Sequence, residues 1–413
     1  MRTLIDAIGL LPRIPPGPVR GADMQRVELI RDAALLIEHD RIAWFGPRGA
    51  APAGPFDLTL SAAGNCVVPG FVDCHTHLVF AGNRAADFVD RIKGASYLEL
   101  LQQGRGIHTT VDATRRATDD QLVALTRPRL ARMLAAGTTT AEVKSGYGLT
   151  PADEVKMLRV VHRLAQQQPI ELVGTYLAAH TVPREFAGRA DAYLDTVLAD
   201  DLLESLYSHD LAEFADVFCE RGAFDLRQSE RFLRECARHG LRPKLHAEQL
   251  SNSGATRLGL ALHAASVDHL EEIDADTTAL LADSTTIPVL LPGCSLFLNA
   301  PPAPARKLID AGCPVALATD CNPGSSMIES MPLVQSLACC LLRMTPLEAL
   351  VAATANAAAA IDRADRLGAI AVGHQADLLI LDRPDFAAIA YELGRSPVQT
   401  VLKRGRIVHS NPA

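Results

Sequence analysis

A chain of 413 residues, 48% hydrophobic and 21% charged, can bury a large core and is too apolar for disorder. A net charge of -8 with no Lys/Arg-rich run argues against a nucleic-acid or anionic-membrane partner, and no apolar stretch is long and charge-free enough to span a bilayer. The nine cysteines, odd in number and without a C-x-x-C pair, read as reduced thiols of a cytoplasmic enzyme, and residues 1–6 lack the uncharged core of a signal peptide.

In chain order, the first sixty or so residues are β-rich. Residues 33–46 read as strand, turn, strand, with His39-Asp40 at the turn and Pro/Gly punctuation at 15–17 and 47–55. The far end has the same character, with strand candidates at 376–382 and 400–408. Neither end carries enough strands to be stable alone, so pairing them is expected to build one small β-sandwich domain from 1–65 and 364–413. Residues 66–363 would then be a single inserted domain.

That insert opens on Val67-Val68-Pro69-Gly70-Phe71-Val72-Asp73-Cys74-His75-Thr76-His77. Strand alternation puts His75 and His77 on one face, two residues apart, where two imidazoles can bind one metal ion. A helix is expected over 120–136, capped by Asp119 or Asp120 and stopped by Gly137. Strands follow at 138–143, 170–177, 214–218, 242–246, 266–269, 287–291 and 314–320. Thr150-Pro151 starts one intervening helix, and Thr345 with Glu348 makes a capping box for an Ala-rich last one. Eight strands separated mostly by helices predict a (β/α)8 barrel. A doubly wound open sheet is the runner-up, but no Gly-rich phosphate loop follows the first strand.

Barrel enzymes carry their chemistry at the C-terminal ends of the strands. His75 and His77 fall at the end of the first, His246 of the fifth, His269 of the sixth and Asp320 of the eighth. Any one of them alone reads as an ordinary hydrogen-bonding group; five together point to a metal site. Three histidines and a carboxylate suit Zn2+ or Fe2+ with a position left for water, whose pKa such a metal lowers toward roughly 7. His269, off the metal, and Asp320 could then move the proton.

On these residues the chain resembles the amidohydrolase superfamily. The resemblance rests on residues 69–77, His246, His269 and Asp320 in that order, and on the split β domain ending in 373–382. Four blocks narrow it, His75–Arg84, Lys144–Leu149, His246–Ser251 and Thr319–Ser326, and look like the branch that opens an imidazolone ring in histidine breakdown. That resemblance implies hydrolysis of the ring C–N bond of 4-imidazolone-5-propanoate to N-formimidoyl-L-glutamate by a homodimer with one divalent or trivalent ion, Zn or Fe, per subunit. It assigns His75, His77, His246 and Asp320 to the metal and His269 with Asp320 to catalysis. Arg84 takes the substrate carboxylate. Tyr147, His180, Gln249, Asn322, Gly324 and Ser325 complete the binding site, His180 touching the ring or an oxyanion, with Tyr97 a weaker candidate. Two-metal subtypes carry a lysine on strand four, and none stands near Phe218-Cys219-Glu220.

One departure bears on mechanism. Many single-metal relatives, cytosine and adenosine deaminases among them, carry Glu three residues after the strand-five histidine; here Gln249 stands there, and an amide does no acid–base work. Glu248 is one residue off and is expected to face away. A single-metal deaminase of another heterocycle is the competing reading, and a catalytically silent scaffold is a third, opposed by the intact ligand set. Cys74 and Cys321 read as packing residues.

Overall fold

The computed structural model describes residues 1–94 and 105–411. Its centre is a ring of eight parallel strands: β1 (Phe71–Asp73), β2 (Thr138–Lys144), β3 (Glu171–Ala179), β4 (Phe214–Phe218), β5 (Arg242–Ala247), β6 (Ser266–His269), β7 (Ile287–Leu290) and β8 (Ala316–Leu317). Each pairs with the next in sequence order. Closure happens just past β1 and β8. There the Asp320 N–H donates to the His75 carbonyl at 3.1 Å and the His77 N–H to the Cys321 carbonyl at 3.0 Å. Backbone bonds made by the candidate ligands themselves therefore seal the barrel.

The run through 67–73 is two strands rather than one. Val67–Pro69 pairs antiparallel with Leu378–Leu381, and β1 pairs with β2. Gly70 is the joint: its N–H reaches the Asp377 carbonyl at 2.8 Å, and a Cβ there would stand 2.4 Å from Thr139 Oγ1. Only glycine lets the chain step between sheets that closely.

Both ends of the chain form four-stranded sheets. One runs Arg41–Pro47, Glu28–Glu38, Arg2–Arg13, Leu58–Ser61; the other runs Arg406–Ser410, Val398–Lys403, Leu378–Leu381, Val67–Pro69. Ile5, Ile8, Leu35 and Ile37 of the first meet Val67, Leu378, Ile380 and Leu402 of the second in one apolar cluster, as packed sheets require.

Around the barrel, the expected helix starts hold with one correction. Asp119–Ala135 is capped by Thr118, not by Asp119 or Asp120. The Thr118 hydroxyl accepts the Gln121 N–H and the Gln121 side chain accepts the Thr118 N–H, satisfying two helix-end donors at once. The aspartates instead sit in the first turn, where the helix dipole favours negative charge. Thr150 caps Pro151–Ala165, and Thr345 with Glu348 forms the capping box of Pro346–Val351. Among the described residues no helix is long and apolar enough to cross a membrane.

Candidate active site

The five strand-end residues converge. One ligand atom each from His75, His77 and Asp320 lies within 4.8 Å of the others, and the same holds for His75, His246 and His269. Asp320 Oδ1 is 3.5 Å from His75 Nε2 and 3.6 Å from His77 Nε2. All five residues are buried. Three strand ends that supply the site leave ordinary backbone geometry to do so: Glu248 (φ 48°), His269 (φ 86°) with Leu270 (φ 71°), and Asp320 (φ 52°). Non-glycine residues held there store about 1–3 kcal/mol each, a cost that persists where the surroundings demand it.

A metal ion fits this donor set. His75 Nε2 is buried and has no hydrogen-bond partner, while its Nδ1 is held by Asp268 Oδ2 at 2.6 Å. His246 Nδ1 is held in the same way by Asp216 Oδ1 at 3.1 Å. A carboxylate behind each ring fixes the proton on Nδ1 and leaves Nε2 as the ligand, the arrangement found behind metal-bound histidines. Burial, then Lys144, drives the His75 imidazole well below its ordinary pKa; burial, then His180, does so for His77, so both stay neutral and able to ligate. Beneath them Lys144 Nζ lies 2.7 Å from Asp216 Oδ2, 2.8 Å from Glu142 Oε1 and 3.7 Å from Asp268 Oδ2. With Asp320, four buried carboxylates surround the histidines, an excess of negative charge that a cation offsets.

The cavity above the cluster holds about 410 Å3. Arg84, Tyr147, His180, Gln249, Asn322, Gly324 and Ser325 all line it; Tyr97 lies outside the described residues. Arg84 Nε donates to Asp87 Oδ2 at 3.0 Å, and Asp87 also pairs with Arg105 at 2.7 Å. The guanidinium packs so tightly on Gly324 that a Cβ there would stand 2.3 Å from Nη1. His180 stacks on His77, ring centroids 5.2 Å apart, and Tyr147 lies 5.5 Å from the His180 ring. His180 Nδ1 faces the Gly146 carbonyl at 3.0 Å. Burial, then His246, pushes that imidazole down to about 3, so it is neutral with its one proton on Nδ1. Its Nε2 is therefore an acceptor, suited to a ring N–H and not to an oxyanion. Gly146 allows this contact: its φ is 103°, and a Cβ there would come 2.9 Å from His180 Nδ1.

The loop after Asp320 is organised by Asn322. Its Nδ2 donates to the Asp320 carbonyl (2.7 Å) and Ser325 Oγ (2.8 Å), and its Oδ1 accepts the N–H groups of Gly324 and Ser325, both at 2.8 Å. Ser325 Oγ stands 3.3 Å from Asp320 Oδ2. Asn322 thus spends its amide on the loop that carries Gly324 and Ser325.

The sequence profile of the amidohydrolase family matches residues 66–408. The chain belongs to the amidohydrolase family. An imidazolonepropionase of Herpetosiphon aurantiacus is 45% identical, the match covering 99% of this chain and 97% of that one. One from Rubrobacter xylanophilus is also 45% identical, over 95% and 94% of the two chains. Among solved structures, an adenosine deaminase from Xanthomonas campestris with bound zinc superposes with a TM-score of 0.71 at 20% identity, covering 98% of this chain and 92% of its own. An atrazine chlorohydrolase from Arthrobacter aurescens complexed with zinc gives 0.71 at 17% identity, over 99% and 95%. At such identities these two share the fold.

In this amidohydrolase the groups that sequence reasoning missed lie one layer behind the ligands: Asp216, Asp268, Lys144 and Glu142. A signal was present, since a charged residue inside an apolar parallel strand must be paired to stay there. Glu248 does face away. Its carboxylate accepts the Thr256 N–H at 3.0 Å and the Thr256 hydroxyl, tying β5 to the start of the Ala255–Ala261 helix. Cys74 joins the apolar cluster of Val72, Val289 and Ala316, and Cys321 packs in the main core.

Proposed function

We propose that this amidohydrolase opens the ring amide of 4-imidazolone-5-propanoate with water to give N-formimidoyl-L-glutamate, a step in histidine breakdown. The observation that carries the reading is that one cavity is lined both by His77, His246 and Asp320, members of the cluster that His75 completes, and by Arg84, a buried guanidinium. A substrate with a reactive ring carbonyl and a short carboxylate arm needs both. The full-length likeness to imidazolonepropionases supports the same substrate.

His75, His77, His246 and Asp320 would hold one metal ion, zinc or iron. When bound, such an ion polarises the ring carbonyl and lowers the pKa of water toward roughly 7. Arg84, gripped by Asp87, receives the propanoate through paired charge-assisted hydrogen bonds. His180 Nε2 accepts a ring N–H, and Tyr147 closes that side of the cavity. Asp320 takes the proton from the attacking water. His269 Nε2 receives that proton from Asp320 and passes it to the ring nitrogen as the C–N bond breaks, so that the carbonyl carbon becomes the new carboxylate. Lys144 is tied into three buried carboxylates, which leaves no place for a carbamate and supports a single ion.

The test is the absorbance of imidazolone freshly generated from urocanate, with metal content read from the same samples. Loss of the imidazolone with formimidoylglutamate appearing, abolished in Asp320→Ala, is the expected result. A fully metallated wild-type protein that leaves it untouched would refute the assignment.

A further inference from the structure

Two buried polar atoms behind the site have no hydrogen-bond partner, and they face each other. His269 Nδ1 and Glu271 Oε2 are 3.6 Å apart, with side chains only 2% and 5% exposed. The approach is built by the backbone. His269 and Leu270 both sit at positive φ, a conformation their side chains disfavour, and the double turn folds Glu271 back over the ring two residues before it. Leu270 N–H bonds the Ala247 carbonyl at 3.0 Å and Glu272 N–H the Glu248 carbonyl at 2.8 Å, so the turn is knitted to the end of β5. From the other side, Ser295 Oγ donates to Glu271 Oε1 at 3.2 Å, leaving Oε2 for the imidazole. The neighbouring amide of Gln249 does not compete, since its Nε2 rests on Cys294 Sγ at 3.5 Å.

We propose that Glu271 is a positioning residue for the reaction: its carboxylate accepts the Nδ1 proton of His269 and so presents His269 Nε2 to the reacting atoms. Glu271 does not line the cavity, so it acts through the histidine. A carboxylate behind an imidazole selects the Nδ1–H tautomer and fixes the plane of the ring. His75 and His246 each have such a carboxylate, Asp268 and Asp216, and Glu271 supplies the third. The inference rests on the ring-opening reaction proposed above for its kinetic readout, but not for its spectroscopic one.

The experiment uses the zinc-loaded enzyme in wild-type, Glu271→Leu and Glu271→Gln forms. It compares steady-state turnover of 4-imidazolone-5-propanoate, zinc content, and imidazole 15N spectra in which His269→Asn assigns the His269 signals. The expected spectrum has the His269 proton on Nδ1 in the wild type and redistributed in Glu271→Leu. Expected kinetics for Glu271→Leu are a kcat lowered tenfold or more, with KM within twofold and zinc retained. Glu271→Gln keeps an acceptor oxygen in place and recovers part of both the tautomer and the rate. Unchanged kcat in Glu271→Leu, an unmoved tautomer, or Glu271→Gln no better than Glu271→Leu would overturn the proposal. Where the leucine variant fails to fold, Glu271→Ala replaces it with the same expected result, and an unmoved tautomer or an unchanged kcat in that variant overturns the proposal. A wild-type enzyme that does not consume the imidazolone refutes the reaction instead, and the spectra still decide the role of Glu271.

Discussion

Gly324→Ala tests the substrate end of the cavity with one methyl group. The added Cβ would stand 2.3 Å from Arg84 Nη1, 3.0 Å from its Cζ and 3.3 Å from Asn322 Oδ1. Contacts between non-bonded atoms settle near 3.5 Å, so the guanidinium must withdraw by about an ångström. Gly324 has no positive φ, and the bond from its N–H to Asn322 Oδ1 at 2.8 Å does not depend on the side chain, so the loop keeps its shape. Arg84 cannot absorb the shift freely, because Asp87 holds its Nε at 3.0 Å. A displacement of that size breaks a paired guanidinium–carboxylate contact, and hydrogen bonds to charged groups are worth about 1.5–3 kcal/mol. The expected outcome is a KM for 4-imidazolone-5-propanoate raised about 10- to 100-fold, with metal content and melting temperature near wild type. Steady-state kinetics with metal analysis on the same preparation read this directly. A KM within twofold of wild type would show that the substrate carboxylate is held elsewhere.

Lys144→Met strips the ammonium from between Asp216 and Glu142 and leaves buried carboxylates unpaired, which costs about 3–5 kcal/mol; a lower melting temperature and a metal lost more readily to a chelator are expected. Gly146→Ala forces a side chain onto a residue at φ 103° and against His180 Nδ1, so a loss of about 1–3 kcal/mol in denaturant unfolding should accompany a fall in kcat. Acid sensitivity should centre in part on Glu171, at the start of β3. Burial alone would raise its carboxyl, but Lys403, Arg366 and Arg363 outweigh that and hold it below its ordinary value of 4.5. A depressed folded-state pKa gives stability that is present above the unfolded value and lost as pH falls through the folded one. Urea midpoints should therefore drop as pH is lowered below 4.5, and Glu171→Gln should fall less steeply than wild type over the same interval.

Much of this was legible in the sequence because it is decided within a few residues. A Thr-Pro helix start at Thr150 and a Thr345–Glu348 capping box are chemistry within one turn, and both appear where the pattern put them. Strand period decided that His75 and His77 share a face, and position at strand ends singled out His246, His269 and Asp320. Even the local rules had a blind spot: three adjacent acceptors could cap the Asp119–Ala135 helix, and the partner Gln121, three residues on, selects Thr118.

What the tertiary structure alone decided is which groups stand behind those residues. Lys144, Asp216 and Asp268 lie on β2, β4 and β6, and the strand register of a closed barrel, not sequence spacing, brings them within ion-pair distance. The Gly70 break depends on two sheets meeting at Thr139, and the tautomer of His180 depends on a carbonyl 34 residues away. Periodicity tells which way a side chain points within its own element. What it points at is settled by packing between elements, where a shift of an ångström makes or removes a hydrogen bond.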